Sequence, residues 1–272
     1  MSQEKSTLFF YALTSMHAGS GSSLEVIDMP IQREKHTAFP IIQSSSVKGS
    51  MRRFYSDNKN EDIIFGKQKD NEFASSVVFT DARVLFFPVK SFKKVFVWIT
   101  CPFVLKRFQR DVNVSDFKIP DISDDESVIV TDEKLLINDK LVLDEYVFNA
   151  EKKEIDIPIN FLNKEDILSK LVVVSDEMYK FFVQTGTEVV ARTKINSETG
   201  VVEKGALWYE ENLPPETLLY STVFTVDSRN GAELKASQIM EDLKKNIPSS
   251  IQVGGNETIG KGLVELAWVD SK

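Results

Sequence analysis

The 272-residue sequence predicts an α+β protein of the ferredoxin-like type that carries one long acidic insertion and an extended β-hairpin. Three observations lead to this prediction. Outside residues 111–214 the predicted elements follow the order strand, helix, strand, strand, strand, helix, strand, which is close to the β-α-β-β-α-β plan of RRM domains. Acidic residues concentrate in one segment, and two strand-like runs flank a turn that ends at Gly200. With 42% hydrophobic and 27% charged residues, the composition excludes a disordered or fibrous chain.

Hydrophobic periodicity and turn residues predict the elements of the N-terminal part. The Gly/Ser-rich segment 17–23 indicates a loop, Ser44–Ser46 can supply a helix N-cap, and Lys90-Ser91 separates two apolar runs as a hairpin turn would. These signals predict a strand over Thr7–Thr14, a helix over about 45–56, strands over Asp81–Val89 and Phe92–Thr100, and a short helix from Pro102 to about Arg110.

The remaining elements follow an acidic stretch from Asp111 to about Asn163, which has no sustained periodicity and is interpreted as an insertion. Within it, short strand-like pieces occur at Ser127–Thr131 and Leu135–Ile137. Beyond it, the pattern predicts a helix over 176–184 that Ser175 caps and that ends at Gly186, hairpin strands over Glu188–Asn196 and Val201–Trp208, a strand over Thr217–Val226, a helix over Ala232–Asn246 and a closing strand over Lys261–Val269.

The net charge of −8 argues against a nucleic-acid partner only if the charge is evenly spread. Residues 111–170 contain 16 acidic and 7 basic residues, which leaves 25 acidic and 26 basic residues elsewhere. Residues 29–55 have a local excess of positive charge, with Glu34 as the one acid among Arg33, Lys35, Lys48, Arg52 and Arg53. An anionic ligand is therefore compatible with this acidic protein.

Several functional classes are excluded. No apolar run approaches the roughly 18 residues that span a bilayer, and with Cys101 as the one cysteine there is neither a disulfide nor a zinc cluster, which fits a reducing, cytoplasmic setting. The segment Gly255–Lys261 matches G-x-x-x-x-G-K, but Gly262 stands where a phosphate-binding loop needs a hydroxyl. We interpret this turn as one that lets RNA or backbone approach closely.

A long polar loop from His17 to His36 is the strongest candidate for function. Asp28 lies between Ile27 and Met29 within it, and the residues alone leave three roles open: general base, metal ligand or surface residue. His17 follows a strand end and is either an acid, base or phosphate donor or an ordinary loop histidine.

Four segments resemble one known family: HAGSGSSLEVIDMPIQREKHTAFPIIQSSSVKGSMRR at 17–53, DARVLFFPVKSFKKVFVWITCPFVLKRFQRD at 81–111, INSETGVVEKGALWYEENLP at 195–214 and GGNETIGKG at 254–262. They are similar to the RAMP superfamily of CRISPR proteins and, within it, to the family of the fourth Cmr subunit, the repeated backbone subunit of type III-B effector complexes. The resemblance implies an RRM-like palm over 1–110 and 215–272, an acidic insertion over 111–186 and a β-hairpin thumb over 187–214.

The resemblance also implies partners and an activity. Copies of the chain would stack along a guide CRISPR RNA and cleave bound single-stranded target RNA at regular intervals. They would do so beside the large polymerase-like subunit, the small subunit and other RAMP subunits, and no membrane is implied. A divalent metal ion, Mg²⁺ or Mn²⁺, is expected as cofactor, with Asp28 as its possible ligand. The alternatives are a non-catalytic filament scaffold and a free-standing RRM-like protein, which the missing aromatic RNP signature disfavours.

Individual residues receive roles from the same resemblance. Asp28 matches the acid of the loop motif V-[IV]-D-x-P-I-Q-R-E that carries cleavage, and His17 is a supporting candidate. Glu210 matches an acidic position of the family on the thumb side of the site, where a supporting and a structural role are both open. Asn212 stands where the family often has Tyr and is given no role. The RNA-binding residues are expected to be Arg33, Lys35, Lys48, Arg52, Arg53, Arg192, Lys194, Gly254, Gly255 and Lys261.

Overall fold

The computed structural model describes residues 3–24, 26–57, 59–67, 72–113, 117–122, 124–159, 164–229 and 233–270. Its strands are β1 Gln3–Ala12, β2 Ile41–Ile42, β3 Val77–Phe79, β4 Ala82–Lys90, β5 Phe96–Thr100, β6 Ser127–Val130, β7 Lys140–Leu143, β8 Tyr146–Lys152, β9 Leu171–Val173, β10 Glu188–Ile195, β11 Val202–Asn212, β12 Leu218–Val226, β13 Ser250–Gln252 and β14 Leu263–Asp270. Its α-helices are α1 Ser44–Phe54, α2 Glu61–Phe65, α3 Pro102–Val112, α4 Lys164–Leu168, α5 Asp176–Thr185 and α6 Ala236–Asn246.

One mixed sheet forms the centre of the fold, which confirms the predicted α+β class. Among the described residues the strand order is β13-β14-β1-β12-β4-β5-β9-β6-β8-β7, with β2 also on β4 and β3 also on β12. Strand β1 lies between β12 and β14 and is antiparallel to both, as the central strand of a ferredoxin-like sheet requires. Strands β10 and β11 form a separate two-stranded hairpin.

The central strand is covered on both faces. Leu8, Phe9 and Phe10 are all at most 1% exposed, although successive side chains of a strand point to opposite faces. The Phe9 ring packs against Phe108 of α3, and α6 packs against β1 and β12. The open sheet face on which RRM domains stack bases is therefore not available in this chain.

Most predicted elements are confirmed within a few residues, and two details differ. Helix α1 begins as expected, but no serine caps it: Gln43 occupies the N-cap position without a side-chain bond, and the Ser44 amide donates to Asp81 at 2.8 Å. The second strand of the predicted hairpin begins at Phe96 rather than at Phe92, whose side chain is 77% exposed in the connection before β5.

The acidic segment contributes strands to the central sheet. Strand β6 confirms the predicted piece at Ser127–Thr131, whereas the strand expected at Leu135–Ile137 is wrong, because a short 3₁₀ helix at Glu133–Leu135 occupies that place. Strand β9 pairs in parallel with β5 and antiparallel with β6, so it joins the segment to the rest of the sheet. Within the described ranges, no helix is long and apolar enough to cross a membrane.

Candidate nucleic-acid interface

The loop between β1 and β2 lies across the base of the β10–β11 hairpin. Its backbone bridges Met16 to Leu213 and Met29 to Glu210, and the Met29 amide donates to the Tyr209 carbonyl at 3.0 Å. Because the backbone of the loop pairs with the chain around β11 at Met16 and again at Met29, these two points of the loop keep a fixed position relative to the hairpin. The sequence alone gave no signal for this docking, since the two segments are far apart in the chain.

Asp28 is presented on this loop with one carboxylate oxygen held in place. The Tyr209 amide donates to Asp28 Oδ2 at 2.7 Å, and among the described residues Oδ1 has no hydrogen-bond partner. The side chain is half-buried, while Leu24 and Val26 nearby in the loop are 107% and 90% exposed. The arrangement orients the carboxylate and leaves one oxygen available to a ligand.

His17 is buried at the opposite end of the loop. Its Nδ1 lies 2.7 Å from the carbonyl oxygen of Glu211, so Nδ1 donates a hydrogen bond to that carbonyl. A Cβ on Gly19 would stand 2.6 Å from Nε2, and a Cβ on Gly254 would stand 2.4 Å from the His17 carbonyl oxygen. The glycines therefore allow close packing around this histidine.

Glu210 is 2% exposed and faces two donors from the glycine-rich turn. Lys261 Nζ lies 3.0 Å from Oε1 and Asn256 Nδ2 lies 2.8 Å from Oε2, while Arg192 Nη1 is 3.9 Å away. Burial acts to raise the pKa of Glu210, but the bonds from Lys261 and Asn256 and the charges of Lys261 and His17 outweigh it and hold the pKa below its ordinary value. Glu210 is thus an ionised, fully engaged carboxylate.

Glu211, which the sequence reasoning missed, anchors the loop. Its Oε1 accepts bonds from Arg33 at 2.5 Å and Thr187 at 2.7 Å, and its Oε2 accepts the Ile31 amide at 3.0 Å. Arg33 also donates to the carbonyls of Ala38 and Val183. These contacts favour a structural role for Arg33 over the expected contact with RNA.

The other expected RNA-binding cations divide into engaged and available groups. Arg52 is held by Glu61, Asp62 and the Gly66 carbonyl, so it ties α1 to α2. Lys194 pairs with Glu203 on the hairpin, and Lys261 is committed to Glu210 and Asn212. The available cations are Lys35, Lys48 and Arg53. Arg53 pairs with Glu257, but both side chains of this pair are exposed.

A groove of about 470 Å³ runs between α1 and the glycine-rich turn. Ser46, Gly49, Ser50 and Arg53 of α1 line one wall, and His17, Gly254 and Gly255 are among the residues of the other. Small side chains on one wall and glycines on the other allow a sugar-phosphate backbone to come close to the protein. The groove joins His17, Gly254, Gly255 and Arg53 of the predicted set. The lining does not include the other predicted residues, which are Arg33, Lys35, Lys48, Arg52, Arg192, Lys194 and Lys261.

Asp28 is the residue of this site that could hold a divalent ion. No group of three or more His, Cys, Asp or Glu side chains suited to a metal ion occurs in the described ranges. A Mg²⁺ or Mn²⁺ ion held by the single carboxylate of Asp28 would complete its coordination with water molecules and RNA phosphate oxygens. The expected cofactor stays a prediction.

Comparison with known proteins places the chain in a superfamily. The family model of the RAMP superfamily matches residues 9–265, which span the sheet, the loop, the hairpin and the glycine-rich turn. The chain therefore belongs to the RAMP superfamily.

Individual relatives narrow this assignment. The chain is 36% identical over 278 residues to the curated CRISPR system Cmr endoribonuclease Cmr4 of Pyrococcus furiosus, covering 94% of this chain and 92% of that protein. It matches a crystal structure of oligomeric Cmr4 from the same organism with a TM-score of 0.75 and 27% identity over 100% of both chains. It also matches a chain of the type III-B Cmr-beta complex bound to cognate target RNA, with a TM-score of 0.78 and 26% identity over 97% of this chain and 96% of that one. The chain therefore belongs to the Cmr4 family of the RAMP superfamily, as the resemblance implied.

Replacing Gly254 tests whether close packing of the turn holds His17. We expect Gly254→Ala to destabilise the fold by more than about 1 kcal/mol, because the new Cβ meets the His17 carbonyl and the backbone has φ +88°. Gly260→Ala is the matched control, since it also has a positive φ of +78° but no atom within 4 Å of the new Cβ. Urea unfolding of both variants measures the difference, and equal midpoints would contradict the packing argument.

Proposed function

We propose that this chain is the guide-RNA-binding backbone subunit of a type III-B effector complex and cleaves complementary single-stranded target RNA. The observation that carries the proposal is the Asp28 carboxylate, oriented by the Tyr209 amide and open at Oδ1 on the hairpin side of the fold. The curated relative of 36% identity is named an endoribonuclease, which supports the enzymatic assignment. The alternative, a non-catalytic scaffold, keeps the RNA and the filament but not the cleavage.

The proposed reaction is attack of a ribose 2′-OH on the adjacent phosphorus. The O2′–P bond forms, the P–O5′ bond breaks, and the 2′ proton leaves with a base while the 5′ oxygen takes up a proton. Asp28 is proposed to accept or orient that 2′ proton through Oδ1, because Oδ2 already accepts the Tyr209 amide. A nucleotide flipped out beside the loop would bring the attacking and leaving oxygens into line.

His17 and Glu210 are proposed as positioning residues rather than as proton carriers. His17 is bonded to Glu211 and packed against glycine, and Glu210 is bonded to Lys261 and Asn256. Both are buried and engaged in these contacts, although the ring of His17 also lines the groove. Their contribution is to hold the loop, hairpin and turn in one arrangement.

The guide RNA is proposed to lie in the groove between α1 and the glycine-rich turn. Burial and the neighbouring charge of Arg52 lower the pKa of Lys48, which has no ion-pair partner among the described residues. An RNA phosphate would supply the missing counter-charge, and phosphate contacts carry no sequence preference, as a subunit that accepts any guide needs. Lys48 and Arg53 are therefore the principal proposed phosphate contacts.

The proposed assembly is a filament of copies on the guide, accompanied by the large, the small and the other RAMP subunits in the cytoplasm. The oligomeric Cmr4 crystal and the target-bound complex that resemble this chain support the filament and its RNA. Cys101, buried and unpaired, is consistent with the proposed location.

Replacing Asp28 tests the cleavage proposal. In the complex reconstituted with guide RNA and Mg²⁺, we expect Asp28→Asn to reduce periodic cleavage of a labelled complementary RNA at least about 100-fold, because a general base is lost while the amide side chain keeps the Tyr209 contact. Asp144→Asn is the control, since Asp144 is exposed in a turn with φ +53° that Asn tolerates. Unchanged cleavage by Asp28→Asn would place the reaction elsewhere, and a wild type that binds but does not cut would favour the scaffold. Parallel reactions with EDTA test the predicted divalent ion.

Replacing Lys48 and Arg53, two cations of α1 of which Arg53 lines the groove, tests the guide-binding proposal. We expect Lys48→Gln/Arg53→Gln to weaken guide RNA binding and to reduce the slope of log K against log salt by about 1.4, because each single-strand phosphate contact contributes about 0.7. Lys118→Gln/Arg229→Gln removes the same charges at exposed positions outside the groove lining. An identical salt slope in the two variants would refute the assignment.

A further inference from the structure

A second cationic cavity, of about 560 Å³, lies beside the loop and is not lined by any residue of the groove. The loop supplies Glu34 and His36, β4 supplies Arg83, and α3 supplies Phe103, Lys106, Arg107 and Arg110. None of these lining residues belongs to the catalytic or RNA-binding residues predicted from the sequence.

The carboxylate of Glu34 in this cavity is saturated. Its oxygens accept three bonds of 2.9–3.0 Å from Arg107 and one of 2.7 Å from the Thr37 hydroxyl, and Arg83 Nε lies 3.5 Å from Oε1. Glu34 is 8% exposed, so water has little access to it. Glu34 therefore organises the two arginines and has little capacity left for a further cation.

Asp111, at the edge of the cavity, is saturated as well. Its Oδ2 accepts from Arg83 at 2.7 Å and from the Tyr220 hydroxyl at 3.0 Å, and its Oδ1 accepts from Arg110 at 2.8 and 3.0 Å. The two carboxylates thus fix the positions of three arginines.

The lining residues carry more positive charge than these two carboxylates neutralise. Arg83, Lys106, Arg107 and Arg110 face Glu34 and Asp111, which leaves a surplus of two positive charges on a chain of net charge −8. Lys106 is exposed and has no ion-pair partner among the described residues, and the side chain of Arg110 is 70% exposed. Two held and largely buried arginines, Arg83 and Arg107, thus stand behind two exposed cations, and such an excess of positive charge attracts an anion.

We propose that this cavity binds a phosphate group of single-stranded RNA that passes the loop, with Lys106 and Arg110 as the direct contacts and Arg83 and Arg107 as their electrostatic support. Glu34 is six residues from Asp28, so the loop places the cavity at most about 20 Å from the proposed cleavage site. Gln32 of the same loop lines the guide groove, and Glu34 lines the cavity. An RNA strand near the loop can therefore contact both the groove and the cavity.

The inference rests on the proposed function, and its test separates the two. Three complexes are compared: wild type, Lys106→Gln/Arg110→Gln and the control Lys118→Gln/Arg229→Gln. Guide RNA binding is measured with the guide-free proteins, and binding of complementary target RNA is measured with the guide-loaded complexes, both over a range of salt concentrations. We expect the cavity variant to bind one of the two RNAs about tenfold more weakly than the control at ~0.15 M salt. Its salt slope should be lower by about 1.4.

The outcomes distinguish contact with the target strand, contact with the guide strand and no contact with RNA at this cavity. A loss confined to the target RNA assigns the cavity to the target strand, and a loss confined to the guide assigns it to the guide. Binding of both RNAs equal to the control overturns the proposal, as does a defect in association of the copies without a change in RNA affinity. If wild type neither binds nor cleaves target RNA, the proposed function fails, whereas wild-type activity with an unaffected cavity variant refutes the cavity alone.

Discussion

The site depends on the buried carboxylate of Glu211, which attaches the loop to strand β11. The Glu211 carboxylate accepts hydrogen bonds from the Arg33 guanidinium, the Thr187 hydroxyl and the Ile31 amide. The backbone carbonyl of Glu211 accepts one from His17. Burying a carboxylate is costly unless charged and polar donors surround it, and here they do. The loop therefore has one well-defined position, and Asp28 is presented from it in a fixed orientation.

The sheet explains why the proposed chemistry lies on loops. Both faces of β1 are buried, since Phe9 packs against Phe108 of α3 and α6 packs against β1 and β12. The sheet face on which an RRM domain binds bases is therefore covered. RNA must then be bound at the edges of the fold, where the loop, the hairpin and the glycine-rich turn meet. The groove and the cationic cavity are lined by different residues, and the loop contributes residues to both.

Local signals made much of the fold predictable, and long-range contacts account for the rest. Ser175 caps α5 as expected, because the signal and the helix are neighbours in sequence. The cap of α1 comes instead from Asp81, which is 37 residues from Ser44. Ion-pair partners that lie far away in the chain are equally invisible in the sequence, and the basic residues of 29–55 are therefore predicted as one RNA-binding set. The structure pairs Arg33 with Glu211, 178 residues away in the chain, and Arg52 with Glu61, and these ion pairs were not apparent from the sequence.

The most direct test of this account is hydrogen exchange at the Met29, Ile31 and Tyr209 amides in Glu211→Gln, measured together with target cleavage by the assembled complex. The account predicts faster exchange at Ile31 and Met29, because the charged anchor of Arg33 is lost, and slower cleavage at unchanged guide affinity. Wild-type cleavage in a variant whose loop amides exchange freely would contradict the claim that loop docking on β11 positions Asp28.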